Sequence, residues 1–423
     1  MTRATARLAI AIVSILLGVQ TKVQAADTDR AAPNVLQWDG VVLAKLREQW
    51  RAHDPQVMPV LTALRDGADR ALADGPYSVT FKKHPLPGVD PHDYVSLAPY
   101  AWPNPDTRDH LPYVTVDGKR NPEFAEFDAL PFIQITDHLE ILSLAGYITG
   151  DVKYFDRAAL LIRTWCIDPT TRMNPNLDHA QVIKGQNNNV GNNTGVIESR
   201  RFISFIDATE LMRGTASWST DDDAQFRAFI SDFRTWLLSS KLGTGEAAAK
   251  NNHGSWYDVQ AASYCIFRGD PAKAKSIVED AKTKRIAVQI QPHGMQPDEI
   301  RRTKSSWYCA FNLAALTQLA TLGQRVDANL WTYQTDDGRS IRKAIDWLIP
   351  YYTGKKSWTV KDIEGFSGKE LFIPLRQAAT AYHDARYDGA ADQLVGQDVE
   401  QDDEREHPLR PVGLKQLLFP ARK

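Results

Sequence analysis

The sequence predicts an all-α fold, an α/α toroid built as an incomplete barrel of helical hairpins with long loops lining its cleft. Three observations carry this. Beyond residue 128, apolar residues recur at three- and four-residue spacing in one segment after another. The segments run about 12–20 residues, with linkers of Gly, Pro, Asn and Asp between them. No strong β-alternating region interrupts the series. Consecutive helices joined by short loops pack as antiparallel hairpins, and many hairpins in one chain close into a toroid or extend as a solenoid. No fixed-period repeat of 30–45 residues is visible, which disfavours a regular array.

The elements follow in order. PFIQITDHLEILSLAGYI (131–148) carries the helical period and stops at Gly150. YFDRAALLIRTWCID (154–168) repeats it and ends before Pro169. TGVIESRRFISFIDATELMRG (194–214) starts after a polar run and ends in glycine. Ser219 to Asp223 then supply a cap and first-turn acids for AQFRAFISDFRTWLLSSKLG. DPAKAKSIVEDAKTKRIAVQI, SSWYCAFNLAALTQLATLG, IRKAIDWLIPYYTG and KELFIPLRQAATAYHDARY complete the series. Two stretches break the rhythm. Residues 77–123 are rich in Pro, Asp, His and Tyr, and residues 171–193 end in an amide-rich run. Long structured loops in a compact domain are usually functional.

Residues 1–25 read as a cleaved secretory signal. Arg3 and Arg7 form a positive start, Leu8 to Val19 is apolar but short for a bilayer span, and Val23-Gln24-Ala25 offers the cleavage site. The expectation is a periplasmic or secreted protein with one domain over 26–423 and no membrane contact after signal removal. Hydrophobic residues make up 43% of the chain and charged ones 24%, an ordinary globular balance. A net charge of −2 leaves no basic footprint for nucleic acid. Cys166, Cys265 and Cys309 are sparse, odd in number and set in apolar helical stretches, so buried thiols are expected rather than a disulfide scaffold.

Four constellations can carry chemistry. In Asn251-Asn252-His253-Gly254-Ser255-Trp256-Tyr257, amides can fix an imidazole, and the two aromatic rings can offer faces to sugars; a structural histidine at a helix start is the alternative. In Pro297 to Tyr308, arginines stand near a phenol, so a carboxylate can be held while a proton moves; a solvated charged turn is the alternative. Tyr94 to Pro105 includes Tyr100 and Trp102 in a Pro-rich loop suited to a cleft wall, or to plain packing. Gln186 to Gly195 places six amide side chains, Asn192 and Asn193 among them, just before a helix. There is no HExxH, Walker A or GxSxG motif, and no His, Cys or acid spacing that signals a metal site. No cofactor is expected.

Together these stretches resemble the alginate lyase superfamily of polysaccharide lyases, over roughly residues 80–380. The likeness rests on DYVSLAPYAWPNP with PYVTVDGKRNPE, the NNVGNNTG run, NNHGSWY, and DEIRRTKSSWYCAFNL, in that order. It is nearer to the branch acting on β-1,4-linked mannuronate or glucuronate. One departure is Ala101, where the family's YWWP motif has a second tryptophan. The resemblance implies a helical toroid that cleaves 1,4-linked polyuronates by β-elimination, with an anionic polysaccharide as partner. It implies His253 as base and Tyr308 as acid, or Tyr308 in both roles when H5 and O4 share a face. Asn192 or Asn193, with Arg302, would neutralise the uronate carboxylate, and Asn252 would orient His253. Tyr100, Trp102, Trp256 and Tyr257 are further substrate-binding candidates. The family spacing selects Arg302, whereas an unbroken helix would bring Arg301 onto the face of Tyr308. Two other readings stay open: a glycoside hydrolase using a pair from Asp137, Asp207, Asp258 and Glu299, and a non-catalytic oligouronide-binding protein.

Overall fold

The computed structural model describes residues 32–366, 368–395 and 409–422. The expected signal segment, 1–25, lies outside these residues. The first helices are α1 (Gly40–Arg51), α2 (Met58–Ala71), α3 (Ala129–Thr149), α4 (Val152–Ile162), α5 (Phe202–Met212) and α6 (Thr220–Ser239). Next come α7 (Lys241–Ala247), α8 (Asn252–Phe267), α9 (Pro271–Ala281), α10 (Ala287–Gln289), α11 (Pro297–Ile300) and α12 (Ser305–Gln324). The series continues through α13 (Ile341–Tyr352), α14 (Phe372–Tyr382) and α15 (Ala385–Val395). Neighbours pack in pairs, α3 on α4 and α5, α8 on α9 and α12, α14 on α15. This is the α/α toroid that the helical periodicity predicts.

The helix starts follow their caps. The Ser219 hydroxyl accepts the Asp222 amide, and the Asp222 carboxylate accepts the Ser219 amide, a reciprocal box that begins α6. Asp39, Asp151, Ser240, Asn251, Asp270 and Ser340 accept amides in the same way at other starts. The segment expected as one helix over 194–214 instead begins as a tight 3-10 run, Asn193–Arg201, and becomes regular only in α5. A close approach explains the tight start: a Cβ on Gly195 would lie 2.6 Å from both the Cβ and the carbonyl oxygen of Ala180.

The core is aromatic. Phe132 stacks on Trp165 at 5.3 Å between ring centroids, and Phe202 meets Phe132 and Phe233 at 5.0 Å each. These rings are fully buried. Offset and edge-on contacts of this kind add about 0.5–1.5 kcal/mol per pair beyond the area they bury. All three cysteines are buried and free.

Short strands hold the long loops against the helices. β1 (Val95–Leu97) pairs in parallel with β4 (His179–Val182), so the loop after residue 77 is tied to the one before residue 193. β2 (Ala101–Trp102) pairs antiparallel with β3 (Val114–Thr115). Val95, Leu97 and Phe127 form a small separate core beneath this wall. Among the described residues no helix is long and apolar enough to cross a membrane.

Candidate active site

The NNHGSWY stretch is the start of α8. Asn251 caps the helix, its side-chain oxygen accepting the His253 amide at 3.2 Å. Gly254 is required here, because a Cβ would lie 2.2 Å from the Ala249 carbonyl oxygen and 2.5 Å from an Arg285 nitrogen. The glycine lets α7 and its following turn close over the first turn of α8. That closure brings Glu246, which has no exposure, to His253: Oε1 lies 2.6 Å from Nδ1 of the imidazole. The other carboxylate oxygen faces Asn193 Nδ2 at 3.5 Å. With Nδ1 tied to a carboxylate, the neutral ring carries its proton there and leaves Nε2 as an acceptor. Nε2 has no hydrogen-bond partner among the described residues, and the side chain keeps 18% exposure.

Asn252 is clamped from below. Glu299, itself buried, accepts its backbone amide at 2.6 Å and its Nδ2 at 2.8 Å. Burial pushes the Glu299 carboxyl up to about 7, against the pull of these hydrogen bonds. Glu299 sits in α11, and its carbonyl accepts the Arg302 amide at 3.1 Å. One short helix thus connects the His253 turn to the arginine.

Arg302 Nη2 donates to the Tyr308 hydroxyl at 2.6 Å, and the guanidinium carbon stands 3.7 Å from the centroid of the same ring. Asp117, from the loop after β3, grips Arg302 at 2.7 and 3.3 Å and also accepts from the amide and hydroxyl of Thr303. Burial works against the Asp117 charge, but the hydrogen bonds from Arg302 and Thr303 outweigh it and hold the carboxyl at about 2. Tyr100 places its hydroxyl 3.1 Å from that of Tyr308. Burial pushes the Tyr308 phenol far above its ordinary value and Tyr100 adds to this, while Arg302 pulls the other way. The phenol is therefore protonated at neutral pH.

Arg301 has a different fate. α11 ends at Ile300 and α12 starts at Ser305, so the intervening residues break the helix and the seven-residue spacing to Tyr308 has no geometric meaning. Arg301 is 71% exposed and pairs with Asp298. Trp256 and Tyr257 also depart from expectation. Both are buried; Trp256 packs on Phe311 at 5.1 Å and Tyr257 donates to the Leu237 carbonyl. Their place in a helix buried on nearly all sides makes them core residues rather than sugar platforms. Trp102 is partly exposed, with its indole nitrogen donating to the Lys119 carbonyl at 2.9 Å, and the neighbouring Ala101 is fully buried. Asn192 uses Nδ2 on the Gln181 carbonyl at 2.7 Å.

Four participants were not singled out for these roles from the sequence: Glu246, Asp117, Glu299 and Gln181. Gln181 adopts a left-handed backbone, φ 53°, unusual for a residue with a side chain. Every polar atom of that residue is engaged, with Ser96, Thr194, Glu198 and Asn192. No local signal marks these residues, apart from the seven-residue spacing of Glu246 before His253. Among the described residues no group of three or more His, Cys, Asp or Glu side chains is placed to hold a metal ion.

The alginate lyase family model matches residues 78–358, about two thirds of the chain. The chain belongs to the alginate lyase family. A crystal structure of an alginate lyase from Bacteroides ovatus is 31% identical, with a TM-score of 0.83, covering 92% of this chain and all of the other. Alginate lyase A1-III from Sphingomonas species A1 shares the fold at a TM-score of 0.52 and 17% identity, covering 82% of this chain and 88% of that one. A variant of A1-III complexed with a tetrasaccharide gives 0.50 at 15% identity, covering 79% and 84%. No curated protein sequence matches the chain. The protein is a polysaccharide lyase acting on an anionic polysaccharide.

Proposed function

We propose that this lyase is exported and cleaves 1,4-linked polymannuronate or glucuronan, with His253 as base and Tyr308 as acid. The observation that supports these roles best is the contrast between the two side chains. Tyr308 is a buried, protonated phenol with a guanidinium at its oxygen, and His253 is an imidazole whose Nδ1 is held by a buried carboxylate.

The hydrogen on C5 of a uronate is weakly acidic, because the adjacent carboxylate resists further negative charge. Asn193 and Arg302 answer this by donating to that carboxylate; Arg302 Nη1 has no partner among the described residues and is available. His253 Nε2 takes H5, the electron pair forms the C4–C5 double bond, and the C4–O4 bond breaks with its pair left on O4. Tyr308 then protonates O4. The products are a new reducing end and a 4,5-unsaturated uronate. When H5 and O4 lie on one face, Tyr308 would have to lose its own proton before taking H5, and its buried, protonated phenol favours His253 as the base.

A hydrolase needs two carboxyl groups free to act on one bond. Asp207 instead accepts the Leu36 and Gln37 amides, Asp258 pairs with Arg285, and Glu299 holds Asn252. The signal-like residues 1–25 support export, and secretion assayed with and without them tests it. A panel of purified polyuronates with product sizing tests the substrate. Unsaturated products from polymannuronate or glucuronan are expected, and turnover confined to polyguluronate contradicts the assignment.

A further inference from the structure

Arg200 has no role in the chemistry above, yet it stands between the two helices that carry the reacting side chains. It lies on the 3-10 run that begins at Asn193. Its guanidinium carbon is 5.7 Å from the Trp256 ring centroid and 5.6 Å from that of Phe311. Trp256 follows His253 by three positions on α8, and Phe311 follows Tyr308 by three on α12. Three residues make nearly one turn, about 5.4 Å of pitch. The guanidinium therefore spans the two helices about one turn inward from the base and the acid.

Among the described residues this cation has no counterion. Its hydrogen bond in the structure runs from Nη1 to the Ile197 carbonyl at 3.3 Å, and no carboxylate pairs with it among the described residues. Three other arginines packed into the fold do have one: Arg285 pairs with Asp258, Arg376 with Asp388, and Arg302 with Asp117. Arg201 and Arg120 stand near enough to oppose its charge, and Glu198 and Glu370 support it only from a distance. Burial, followed by Arg201, pushes the guanidinium down to about 9. A partly buried cation without an anion is costly unless something completes it. The guanidinium lies near two aromatic rings, and beyond the Nη1 contact to Ile197 its N–H groups have no hydrogen-bond partner among the described residues, which suits a planar acceptor such as a carboxylate.

We propose that Arg200 receives the carboxylate of a second uronate residue, the neighbour of the one that loses its C5 proton. A polyuronate carries one carboxylate per sugar, so once Arg302 and Asn193 neutralise the reacting one, the next needs its own cation. This rests on the polyuronate lyase reading. The same cation sets a lower limit on substrate length, because an oligomer too short to reach it forfeits the contact.

The test compares kcat/KM across oligouronides of increasing length for the parent, Arg200→Met and Arg200→Lys, with Tm measured alongside. Arg200→Met is expected to lose on the order of tenfold on long oligomers and little on the shortest cleavable one. Arg200→Lys is expected to recover part of the loss. An equal loss at every length overturns the proposal and marks Arg200 as structural. If Arg200→Met does not fold, the length dependence of Arg200→Lys decides alone, and its absence overturns the proposal. A parent that gives no unsaturated product from any polyuronate is a different failure, that of the lyase reading itself.

Discussion

Glu246 Oε1 lies 2.6 Å from Nδ1 of His253, and the carboxylate is wholly buried. The contact fixes both the tautomer and the direction of the ring. Glu246→Gln is expected to lower kcat by about 10²-fold or more, because the amide no longer selects the tautomer that leaves Nε2 basic. A drop in Tm with kcat unchanged would show that Glu246 only packs.

Removal of the Tyr308 hydroxyl separates acid catalysis from binding. Tyr308→Phe keeps the ring against Arg302 and Trp307, and is expected to cost about 10²–10⁴-fold in kcat. Oligouronide affinity by calorimetry should change little. Turnover within a factor of a few of the parent would exclude this phenol as the proton donor.

Asp117 governs the low-pH behaviour of Arg302. Its folded value is lowered from 3.8 to about 2, so its contribution is present above about pH 4 and is lost as pH falls through about 2. The Asp117–Arg302 grip therefore survives mild acid. Asp117→Asn is expected to raise KM and lower kcat together, since it removes the charge and turns one of the two oxygens that grip Arg302 into an N–H donor. Crystals of the variant that retain the parent's Arg302 pose with full activity would contradict this role.

Three buried carboxyl groups have the opposite sign. Burial raises Asp128 to about 6, Asp207 to about 7 and Glu299 to about 7. Each favours its protonated form in the folded state. The associated stability is complete below the unfolded values near 4 and is lost as pH rises through 6 to 7. Tm should fall between pH 5 and pH 8, and Glu299→Gln should flatten part of that slope. A Tm that climbs steadily over the same range contradicts the assignment.

The aromatic core offers a test of the fold alone. Phe202 contacts Phe132, Phe205, Phe229 and Phe233 and has no exposure. Phe202→Ala is expected to cost about 3–5 kcal/mol in denaturant unfolding.

The helices were legible in the sequence because apolar period, caps and breakers all agreed along the chain. Ser219 and Asp222, three residues apart, state their own geometry. His253, Arg302 and Tyr308 were legible as motifs, and the structure joins them through Glu299 and Asn252. What the sequence withheld was the partner of each. Asp117 meets Arg302 across 185 positions, and no local pattern reports such a contact. Trp256 and Tyr257 were misplaced for a related reason: aromatic rings beside a histidine look alike whether they face a cleft or a neighbouring helix. Only the packing of α8 decides: α12 covers Trp256 through Phe311, and the Tyr257 hydroxyl reaches Leu237 of α6. Arg301 was tempting on helical spacing, and the break after Ile300 removes that spacing.

The most direct test of the central claim counts two products at once. Polymannuronate or glucuronan is incubated with the purified protein, and new reducing ends are compared with the ultraviolet absorbance of unsaturated uronate. Elimination predicts one unsaturated end for each reducing end, with both lost in His253→Ala. Reducing ends without unsaturation would contradict the account.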